Sequence, residues 1–284
     1  MANQLLRAAI PNKGSLSLAA ADMLREAGYH QRTDPKQLSL IDVDNDIEFY
    51  YLRPRDIALY VGEGTLDVGI TGLDLLRDSG AKAEEALRLG FGQSRFRFAA
   101  PPGRVKRLDD LAGLRIATSY AGLLQRFLEE HAIEATVVRL DGAVESSVRL
   151  GVADVVADVV ETGSTLLHAG LELVGESILD SEAVLVTRVG ESPAGYDVFL
   201  RRLQGVLVAR SYVMMDYDIR TEHVEEAVAL TPGIESPTVS PLHREGWVAV
   251  RSMVPRARAQ RVMDELYDLG ARGILSTDIH ACRL

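Results

Sequence analysis

The stretch Asp158-Val-Val-Glu-Thr-Gly-Ser-Thr-Leu166 decides the fold expected for the middle of this chain. The apolar run 155–160, which contains a single acid, predicts a buried strand. The small residues 162–165 then lead into apolar Leu166, a pattern typical of a turn followed by a helix. Because the first turn of a helix has unpaired N–H groups and partial positive charge, the junction predicts an anion site. The same pattern also fits a plain strand–turn–helix junction with a Thr or Ser cap.

The residues of this turn indicate which anion would fit. Gly163 allows a close backbone approach or a positive φ. Hydroxyl groups add donors around a phosphate, and they belong to Thr162, Ser164 and Thr165. The carboxylates of Asp158 and Glu161 would repel a bare phosphate, so the ligand must also carry hydroxyls or a metal. A sugar phosphate meets both conditions, because its hydroxyls can donate to the carboxylates while the turn binds its phosphate.

Composition excludes several classes of protein. The chain has 284 residues, 47% of them hydrophobic and 25% charged, which suits a globular protein of two or three domains. Its net charge of −10 argues against binding to nucleic acid or to an anionic membrane. The single cysteine, Cys282, permits no intrachain disulfide, and the six histidines show no zinc-ligand spacing. With no signal peptide and no apolar run near ~18 residues, we expect a cytoplasmic protein.

Predicted strands and helices alternate along the first two-thirds of the chain. One series starts with a strand at 5–11 and a second with a strand at 114–118. Such alternation predicts α/β lobes with parallel strands, whose carboxyl ends bind ligands. We therefore expect a two-lobed catalytic domain of the periplasmic-binding-protein type. Its expected limits are 1–94 with 178–210 for lobe I and its connector helix, and 95–177 for lobe II.

The last third of the chain has a different pattern. Residues 211–284 contain predicted strands and helices in the order βαββαβ, which is the ferredoxin-like arrangement. A module of this size next to a two-lobed domain, similar to an ACT domain, suggests regulation by a small ligand or a role in assembly.

Several polar residues follow predicted strands, where a ligand in the cleft would lie. Lys13 follows the first strand and could contact a phosphate, although a solvated loop lysine fits equally well. Arg53 and Arg55 flank Pro54 after the second strand, and a surface turn is the simpler interpretation, particularly for Arg55. Asp74 could cap a helix, or it could accept a hydrogen bond from an amine or hydroxyl in the cleft.

Two further candidates lie in the second series. Tyr120 could stack on a planar base or cover the edge of the core. Asp141 and Glu145 could bind a sugar or a hydrated metal. The sequence has no nucleophile–base–acid pattern and no P-loop. A reaction that depends on positioning and charge stabilisation is therefore favoured, and glycosyl transfer from a diphosphate-activated sugar fits that description.

Six segments together resemble one known family. In order along the chain they are Pro-Asn-Lys-Gly at 11–14, Leu-Arg-Pro-Arg-Asp-Ile at 52–57, Asp-Val-Gly-Ile-Thr-Gly-Leu-Asp at 67–74, Asp-Gly-Ala-Val-Glu at 141–145, the stretch at 158–166, and Thr-Pro-Gly-Ile-Glu-Ser-Pro-Thr at 231–238. Each segment is weak alone, but their order and spacing are specific. From residue 7 to the C-terminus, the chain resembles the ATP phosphoribosyltransferases in their long form, which carry a C-terminal regulatory domain.

The resemblance implies a reaction and a set of site residues. N1 of ATP would attack C1 of 5-phosphoribosyl 1-pyrophosphate with Mg²⁺ present, in the first step of histidine biosynthesis. The implied catalytic residues are Lys13, Glu145 and Asp158. The implied phosphoribosyl pyrophosphate site comprises Asp158, Glu161, Thr162, Gly163, Ser164 and Thr165. The implied nucleotide site comprises Arg53, Asp74, Leu75 and Tyr120.

Two details of the resemblance concern metal and phosphate contacts. Mg²⁺ would be held mainly by the pyrophosphate, and its protein ligands are not implied. Many relatives carry Arg after the first-loop glycine, whereas this chain has Ser15. A phosphate contact from that position is therefore not expected here.

For the C-terminal module, the resemblance implies a histidine-sensing domain. The effector would bind near Asp218, Ser236 and Thr238, because an acid suits its amino group and hydroxyls suit its polar edge. Family resemblance also implies dimers that assemble into hexamers, favoured by histidine. The alternatives are a prephenate dehydratase, which combines similar parts but needs no phosphate turn, and a solute-binding protein, which would show no turnover.

Overall fold

The computed structural model describes residues 5–160 and 163–284. Those residues form fifteen strands and nine α-helices. The strands are β1 (Leu6–Pro11), β2 (Ser39–Asp42), β3 (Ile47–Leu52), β4 (Val68–Gly72), β5 (Ala83–Arg88), β6 (Ser94–Ala100), β7 (Arg115–Thr118), β8 (Thr136–Arg139), β9 (Val155–Val160), β10 (Glu172–Ser181), β11 (Ala183–Arg188), β12 (Tyr212–Arg220), β13 (Thr238–Pro241), β14 (Trp247–Pro255) and β15 (Arg272–Asp278). The helices are α1 (Ser15–Glu26), α2 (Pro54–Gly62), α3 (Leu73–Ser79), α4 (Ala121–Glu130), α5 (Ser146–Arg149), α6 (Ser164–His168), α7 (Tyr196–Ser211), α8 (Val224–Leu230) and α9 (Ala259–Asp268).

The chain divides into two compact units. The first runs through residue 197 and omits 26–28, and the second comprises 26–28 and 198–284. Most of helix α7 therefore groups with the C-terminal module, whereas the limits expected from the sequence place this helix in lobe I as a connector. The expected end of lobe II at 177 falls inside β10, a strand that pairs with β6 as far as Ser181. The domain limits drawn from the sequence stay a prediction.

Lobe I is built on a six-stranded sheet in the order β2-β3-β1-β4-β11-β5. Strand β1 is parallel to both β3 and β4, while the other neighbours are antiparallel. Because the carboxyl ends of β1, β3 and β4 share one edge, the loops that follow them lie together there. The edge strand β2 is absent from the sequence-based prediction, since its Ser-Leu-Ile-Asp sequence is short and only its last residue is buried.

Lobe II is built on a five-stranded sheet in the order β10-β6-β9-β7-β8. Strand β7 is parallel to β8 and β9, and β6 is antiparallel to β9. Phe96 and Phe98 of β6 are buried with Leu124 of α4 in the lobe II core. Apolar runs such as 155–160 are expected for strands buried on both faces, and the buried positions of β9 agree. The two lobes confirm the predicted two-lobed fold.

The C-terminal module is a four-stranded antiparallel sheet in the order β13-β14-β12-β15. Alternate residues of β12 are buried, and Met215 and Tyr217 pack with Leu266 of α9 in one core. The Tyr217 hydroxyl, which would otherwise be buried without a partner, lies 2.8 Å from Thr231 Oγ1. This arrangement confirms the predicted βαββαβ fold. Among the described residues, no helix combines the length and apolar character that crossing a bilayer requires.

Helix α2 packs directly on strand β4 at a glycine. A Cβ atom built on Gly69 would lie 2.4 Å from Cγ2 of Ile57 and 3.3 Å from Cβ of Ala9. Ile57 is fully buried between α2 and the sheet, so it has little space to withdraw. The missing side chain of Gly69 therefore sets the distance between α2, which begins at Pro54, and the sheet.

We predict that Gly69→Ala lowers the free energy of unfolding by about 1–3 kcal/mol, because the added methyl overpacks this contact. Urea denaturation measures the change. Leu18→Ala is the control, since Leu18 is 74% exposed and its loss should change stability by no more than about 0.5 kcal/mol. Equal stability of Gly69→Ala and the parent would show that α2 can shift without cost.

Candidate active site

A cavity of about 190 Å³ lies between the lobes, next to the carboxyl ends of their parallel strands. Lobe I contributes Lys13, Asp74 and Leu75 to its lining, and lobe II contributes Tyr120. All four residues are predicted site residues, and they come from segments that are far apart along the chain. The remaining lining residues are Gly14, Ser15, Leu16, Pro54, Gly72, Gly92, Ser94 and Val159.

Asp74 is a buried acid at the start of α3 and is only 6% exposed. Its backbone N–H donates to Oγ of Ser181 at 3.0 Å, and the Ser181 hydroxyl donates to Asp74 Oδ1 at 2.9 Å. This conformation requires a glycine two residues earlier, because a Cβ on Gly72 would lie 2.2 Å from Asp74 Oδ1. The carboxylate is therefore fixed against the end of β10, where the chain crosses between lobes.

Tyr120 extends from the end of β7 toward this carboxylate. Asp74 lies close to its hydroxyl, and its ring centroid is 5.6 Å from that of Phe96 and 4.9 Å from Cζ of Arg55. Burial raises the pKa of Tyr120 strongly, and the negative charge of Asp74 adds to this effect. The phenol therefore stays protonated at physiological pH and acts as a hydrogen-bond donor.

Asp158 lies near the carboxyl end of β9 and is mostly buried. Burial raises the pKa of Asp158, and repulsion from Glu145 and Asp74 raises it further. The Val159 N–H, which donates to Asp158 Oδ1 at 2.8 Å, and the charge of Arg55 act in the opposite direction. The carboxylates of Asp158, Glu145 and Asp74 thus repel one another at the cleft, and nearby donors and cations offset only part of this repulsion.

Nearby cations do not neutralise this group of acids completely. Arg97 lies directly opposite Asp158 in the β6–β9 ladder, but its guanidinium donates to the carbonyl of Gly175. Glu145 is half-buried at the residue before α5, and Asp141 is exposed. The site therefore has an excess of negative charge that favours a ligand with hydroxyl donors or a cationic centre.

The predicted phosphate turn is described in part. Glu161 and Thr162 lie outside the described residues. Gly163 has a φ of 78°, in the left-handed region, and precedes helix α6, as the sequence predicts. The Gly163 carbonyl accepts the Leu167 N–H at 3.1 Å, while Ser164 and Thr165 lie at the beginning of the helix, where Thr165 is exposed.

A second cavity, of about 360 Å³, adjoins Lys13 on the other side of the loop that follows β1. Its lining includes three cations, Lys13, Arg25 and Arg32. The Arg32 guanidinium lies 4.0 Å above the Tyr51 ring and donates to the Asn12 carbonyl at 2.9 Å. It also donates to the carbonyls of Pro35 and Gln37, each at 2.8 Å. Arg32 therefore holds the loop that follows β1. A guanidinium has five N–H groups, so Arg32 retains N–H groups for an anion.

Some predicted residues lie apart from the cavity, and some contacts were not predicted. Arg53 is exposed at the residue before α2, and its neighbour Pro54 lines the cavity. Arg55, for which a surface turn is the simpler sequence interpretation, instead donates to Asp78 Oδ2 at 2.7 Å. No sequence pattern predicted the contacts of Ser181 and Asp78, because each forms a hydrogen bond with a residue far away along the chain.

In the C-terminal module, Asp218 lies on β12 and is half-buried. Its β14 neighbour is Ala249, and a Cβ on Gly273 of β15 would lie 3.6 Å from Asp218 Oδ2. Ser236 and Thr238 are exposed at the start of β13. The Ser236 hydroxyl donates to the Pro237 carbonyl at 3.5 Å.

A further cavity, of about 550 Å³, lies in lobe II between α4 and β8. It is larger than the cleft cavity but lies away from the carboxyl ends of the parallel strands, and its lining includes none of the predicted site residues. Size alone is a poor guide here, because α/β folds bind their ligands at those strand ends. Fold and cleft together define a two-lobed α/β enzyme of the periplasmic-binding-protein type with an appended ferredoxin-like domain.

Comparison with known proteins identifies the family. The ATP phosphoribosyltransferase (HisG) family matches residues 53–205, and the HisG C-terminal domain matches residues 209–281. ATP phosphoribosyltransferases of Streptomyces avermitilis and of Arthrobacter sp. are 64% and 65% identical to this chain, and each comparison covers 99% of it and 100% of the relative. The solved ATP phosphoribosyl transferase (HisG:HisZ) complex from Thermotoga maritima superposes with a TM-score of 0.60 at 27% identity, over 72% of this chain and 98% of that one.

This chain belongs to the ATP phosphoribosyltransferase family, in its long form, and is a transferase of the first step of histidine biosynthesis. The resemblance stated from six sequence segments is confirmed. The prephenate dehydratase and solute-binding alternatives are wrong.

We predict that Asp158→Asn stabilises the folded protein at neutral pH. The pKa of Asp158 is raised in the folded state, so its contribution to stability is favourable at low pH and is lost as pH rises through that raised pKa. Asparagine keeps the oxygen that accepts the Val159 N–H but carries no charge. The gain should therefore shrink as pH falls toward about 4, near the ordinary pKa of aspartate.

Urea unfolding over that pH range measures the effect. Asp141→Asn is the control, because Asp141 is an exposed acid of the same lobe and its variant should show no such trend. A loss of stability in Asp158→Asn at neutral pH would mean that the Asp158 charge is compensated in the folded state.

Proposed function

We propose that the 5-phosphoribosyl group passes from 5-phosphoribosyl 1-pyrophosphate to N1 of ATP in the cleft between the two lobes. One observation carries this proposal: a single cavity is lined by Lys13, Asp74 and Tyr120 and adjoins the strand end that bears Asp158. These are the side chains required by an anionic leaving group, a purine nucleotide and a ribose.

The phosphoribosyl half of the site would be formed by β9 and the turn after it. Asp158 would accept hydrogen bonds from the ribose hydroxyls, and the 5-phosphate would bind at Gly163, Ser164 and Thr165, together with Glu161 and Thr162. Support comes from the left-handed φ of Gly163, which leads directly into α6 and its two hydroxyl residues. Hydroxyls and unpaired N–H groups suit a phosphate dianion.

The nucleotide half would be formed by Tyr120, Asp74 and Leu75, with Arg53 at its edge. A protonated tyrosine offers a flat ring for the adenine and a hydroxyl donor. Because Asp74 lies close to the Tyr120 hydroxyl, an adenine amino group on that ring would come within reach of the same carboxylate. A hydrogen bond from the adenine would offset part of the cost of desolvating Asp74.

The leaving pyrophosphate would lie against Lys13. This chain has Ser15 where many relatives carry Arg, and the neighbouring cavity contains Arg25 and Arg32. We propose that Arg32 supplies the missing guanidinium contact, since it is held 2.9 Å from the carbonyl of Asn12, next to Lys13. Cations at this end stabilise the charge that develops on the leaving group.

The carboxylates of the cleft would act on the reacting centre. Transfer places positive charge on C1 and the ring oxygen of the ribose as the pyrophosphate departs. Glu145 and Asp158 already repel each other, and that repulsion raises the pKa of Asp158. Positive charge developing between them would relieve the repulsion and lower the barrier. N1 of ATP is itself nucleophilic, so a strong general base is not required.

Mg²⁺ is the metal we propose for the reaction. It would be held mainly by the pyrophosphate, and the oxygen donors of the cleft acids fit a hard cation of this kind. Its chemical contribution would be neutralisation of the leaving group's charge. The chain's own residues orient the two substrates, with Lys13 at the pyrophosphate and Tyr120 at the adenine.

The activity is tested by mixing the protein with ATP, 5-phosphoribosyl 1-pyrophosphate and Mg²⁺, with pyrophosphatase present, and following phosphoribosyl-ATP. We predict that Lys13→Met lowers kcat/KM by roughly a hundredfold or more, because a cation that stabilises developing charge is lost. Lys36→Met is the control, since Lys36 is exposed in another loop of lobe I and its loss should leave kcat/KM unchanged. Full activity in Lys13→Met would refute the proposed pyrophosphate position.

We propose that residues 211–284 bind histidine and transmit feedback inhibition. Asp218 would accept from the effector's amino group, and the hydroxyls of Ser236 and Thr238 would bind its polar edge. We also propose that the protein forms dimers that assemble into hexamers, favoured by histidine. A cytoplasmic location stays a prediction of the sequence.

We predict that Asp218→Ala weakens inhibition by histidine at least tenfold while leaving uninhibited turnover nearly intact, since one charge-assisted bond is lost from the effector alone. Inhibition curves measured at fixed substrate concentrations provide the comparison. Asp264→Ala, which removes an acid of α9 from the same module, should leave the curve unchanged. Equal loss of turnover and inhibition in Asp218→Ala would refute the effector role.

A further inference from the structure

Helix α4 of lobe II begins without a cap of its own. The residue before it is Tyr120, whose side chain supplies no cap hydrogen bond. The first N–H groups of a helix need acceptors from outside the helix. One acceptor comes from lobe I, where Oδ1 of Asp78 in α3 accepts the Leu123 N–H at 3.0 Å. A carboxylate at this end also interacts favourably with the helix dipole.

The close approach of α4 to α3 depends on a glycine in the first turn of α4. A Cβ built on Gly122 would lie 2.3 Å from the carbonyl oxygen of Asp78 and 3.3 Å from its Oδ1. A larger residue would push the beginning of α4 away from lobe I, and the cap from Asp78 with it. The absence of a side chain at Gly122 and the cap are independent signs of one fixed contact between the lobes.

The second oxygen of Asp78 holds Arg55. Nη1 of Arg55 donates to Asp78 Oδ2 at 2.7 Å, and the side chain of Asp78 is 11% exposed while that of Arg55 is 41% exposed. The same guanidinium has its Cζ 4.9 Å from the centroid of the Tyr120 ring. Asp78 therefore acts on Tyr120 by two routes. It caps the helix that follows Tyr120, and it binds the cation above the Tyr120 ring.

We infer that Asp78 is a positioning residue for the nucleotide site, because it caps α4 from the opposite lobe and fixes Arg55 over Tyr120. Asp78 is absent from the lining of the cleft cavity, so it acts through its partners. Its carboxylate couples the orientation of the two lobes to the position of the ring that contacts adenine. This inference rests on the proposed function, in which Tyr120 binds the nucleotide.

Four substitutions separate the two routes. Asp78→Asn keeps an oxygen for the Leu123 N–H but removes the charge that holds Arg55. Asp78→Ala removes both the helix cap and the ion pair. Arg55→Ala removes the cation altogether, whereas Arg55→Lys keeps a cation for both Asp78 and the Tyr120 ring and loses only the planar shape of the guanidinium.

The expected result is a rise in KM for ATP that is larger when Asp78 can neither cap α4 nor hold Arg55 than when it can still cap the helix. We predict an increase on the order of tenfold to a hundredfold for Asp78→Ala and a smaller one for Asp78→Asn, since small displacements in a site have effects of that size. Arg55→Lys should restore most of the affinity that Arg55→Ala loses. KM for 5-phosphoribosyl 1-pyrophosphate should change much less in every variant.

A matched control removes a comparable ion pair elsewhere in the catalytic domain. Arg115 and Asp154 are 3.1 Å apart at the opposite end of the lobe II sheet from the cleft. Arg115→Gln should leave both KM values unchanged. Thermal unfolding of all variants separates positioning from a general loss of stability, and loss of stability in the Asp78 variants with an unchanged KM for ATP would overturn the inference.

Combination with Tyr120→Ala completes the test. If Asp78 acts through Tyr120, then Asp78→Asn should raise KM for ATP much less in the Tyr120→Ala background than in the parent. The same rise in both backgrounds would contradict the inference alone. An unchanged KM for ATP in Tyr120→Ala itself would overturn the proposed nucleotide site, and with it the role of Asp78.

Discussion

The buried carboxylate of Asp74 connects three parts of the catalytic domain. It accepts from Ser181 at the point where the chain returns from lobe II, and it lies close to the Tyr120 hydroxyl at the end of a lobe II strand. Its backbone N–H is bound to the same serine. A buried acid without such partners would be costly to the fold. Asp74 is therefore held by Ser181 where the chain passes between the lobes, and its carboxylate lies next to the tyrosine that faces the cavity.

Buried negative charge is the second constraint on the cleft. Asp158 is repelled by both Glu145 and Asp74, and its pKa is raised in consequence, in addition to the effect of burial. A protein that maximised its stability would replace one of these acids. Acids that destabilise the folded state by mutual repulsion are typical of sites where a ligand or a transition state supplies the compensating positive charge. In the proposed reaction, that charge appears on the ribose as the pyrophosphate leaves.

The sequence predicted those features that depend on local pattern. The apolar run 155–160 and the small residues after it indicated strand, turn and helix, and the strand-end rule brought Lys13, Asp74 and Tyr120 to one cavity. Contacts between distant segments had no such signal. Ser181 bonds a residue 107 positions away and Asp78 one 45 positions away. Strand β2 was missed because short, exposed edge strands have little apolar periodicity.

A crystal structure with bound phosphoribosyl-ATP would show directly whether both substrates react in the cleft between the lobes. We predict the 5-phosphate at the turn that contains Gly163–Thr165 and the adenine against Tyr120, within hydrogen-bond reach of Asp74. Product bound instead in the cavity between α4 and β8, with the cleft side chains untouched, would contradict this prediction.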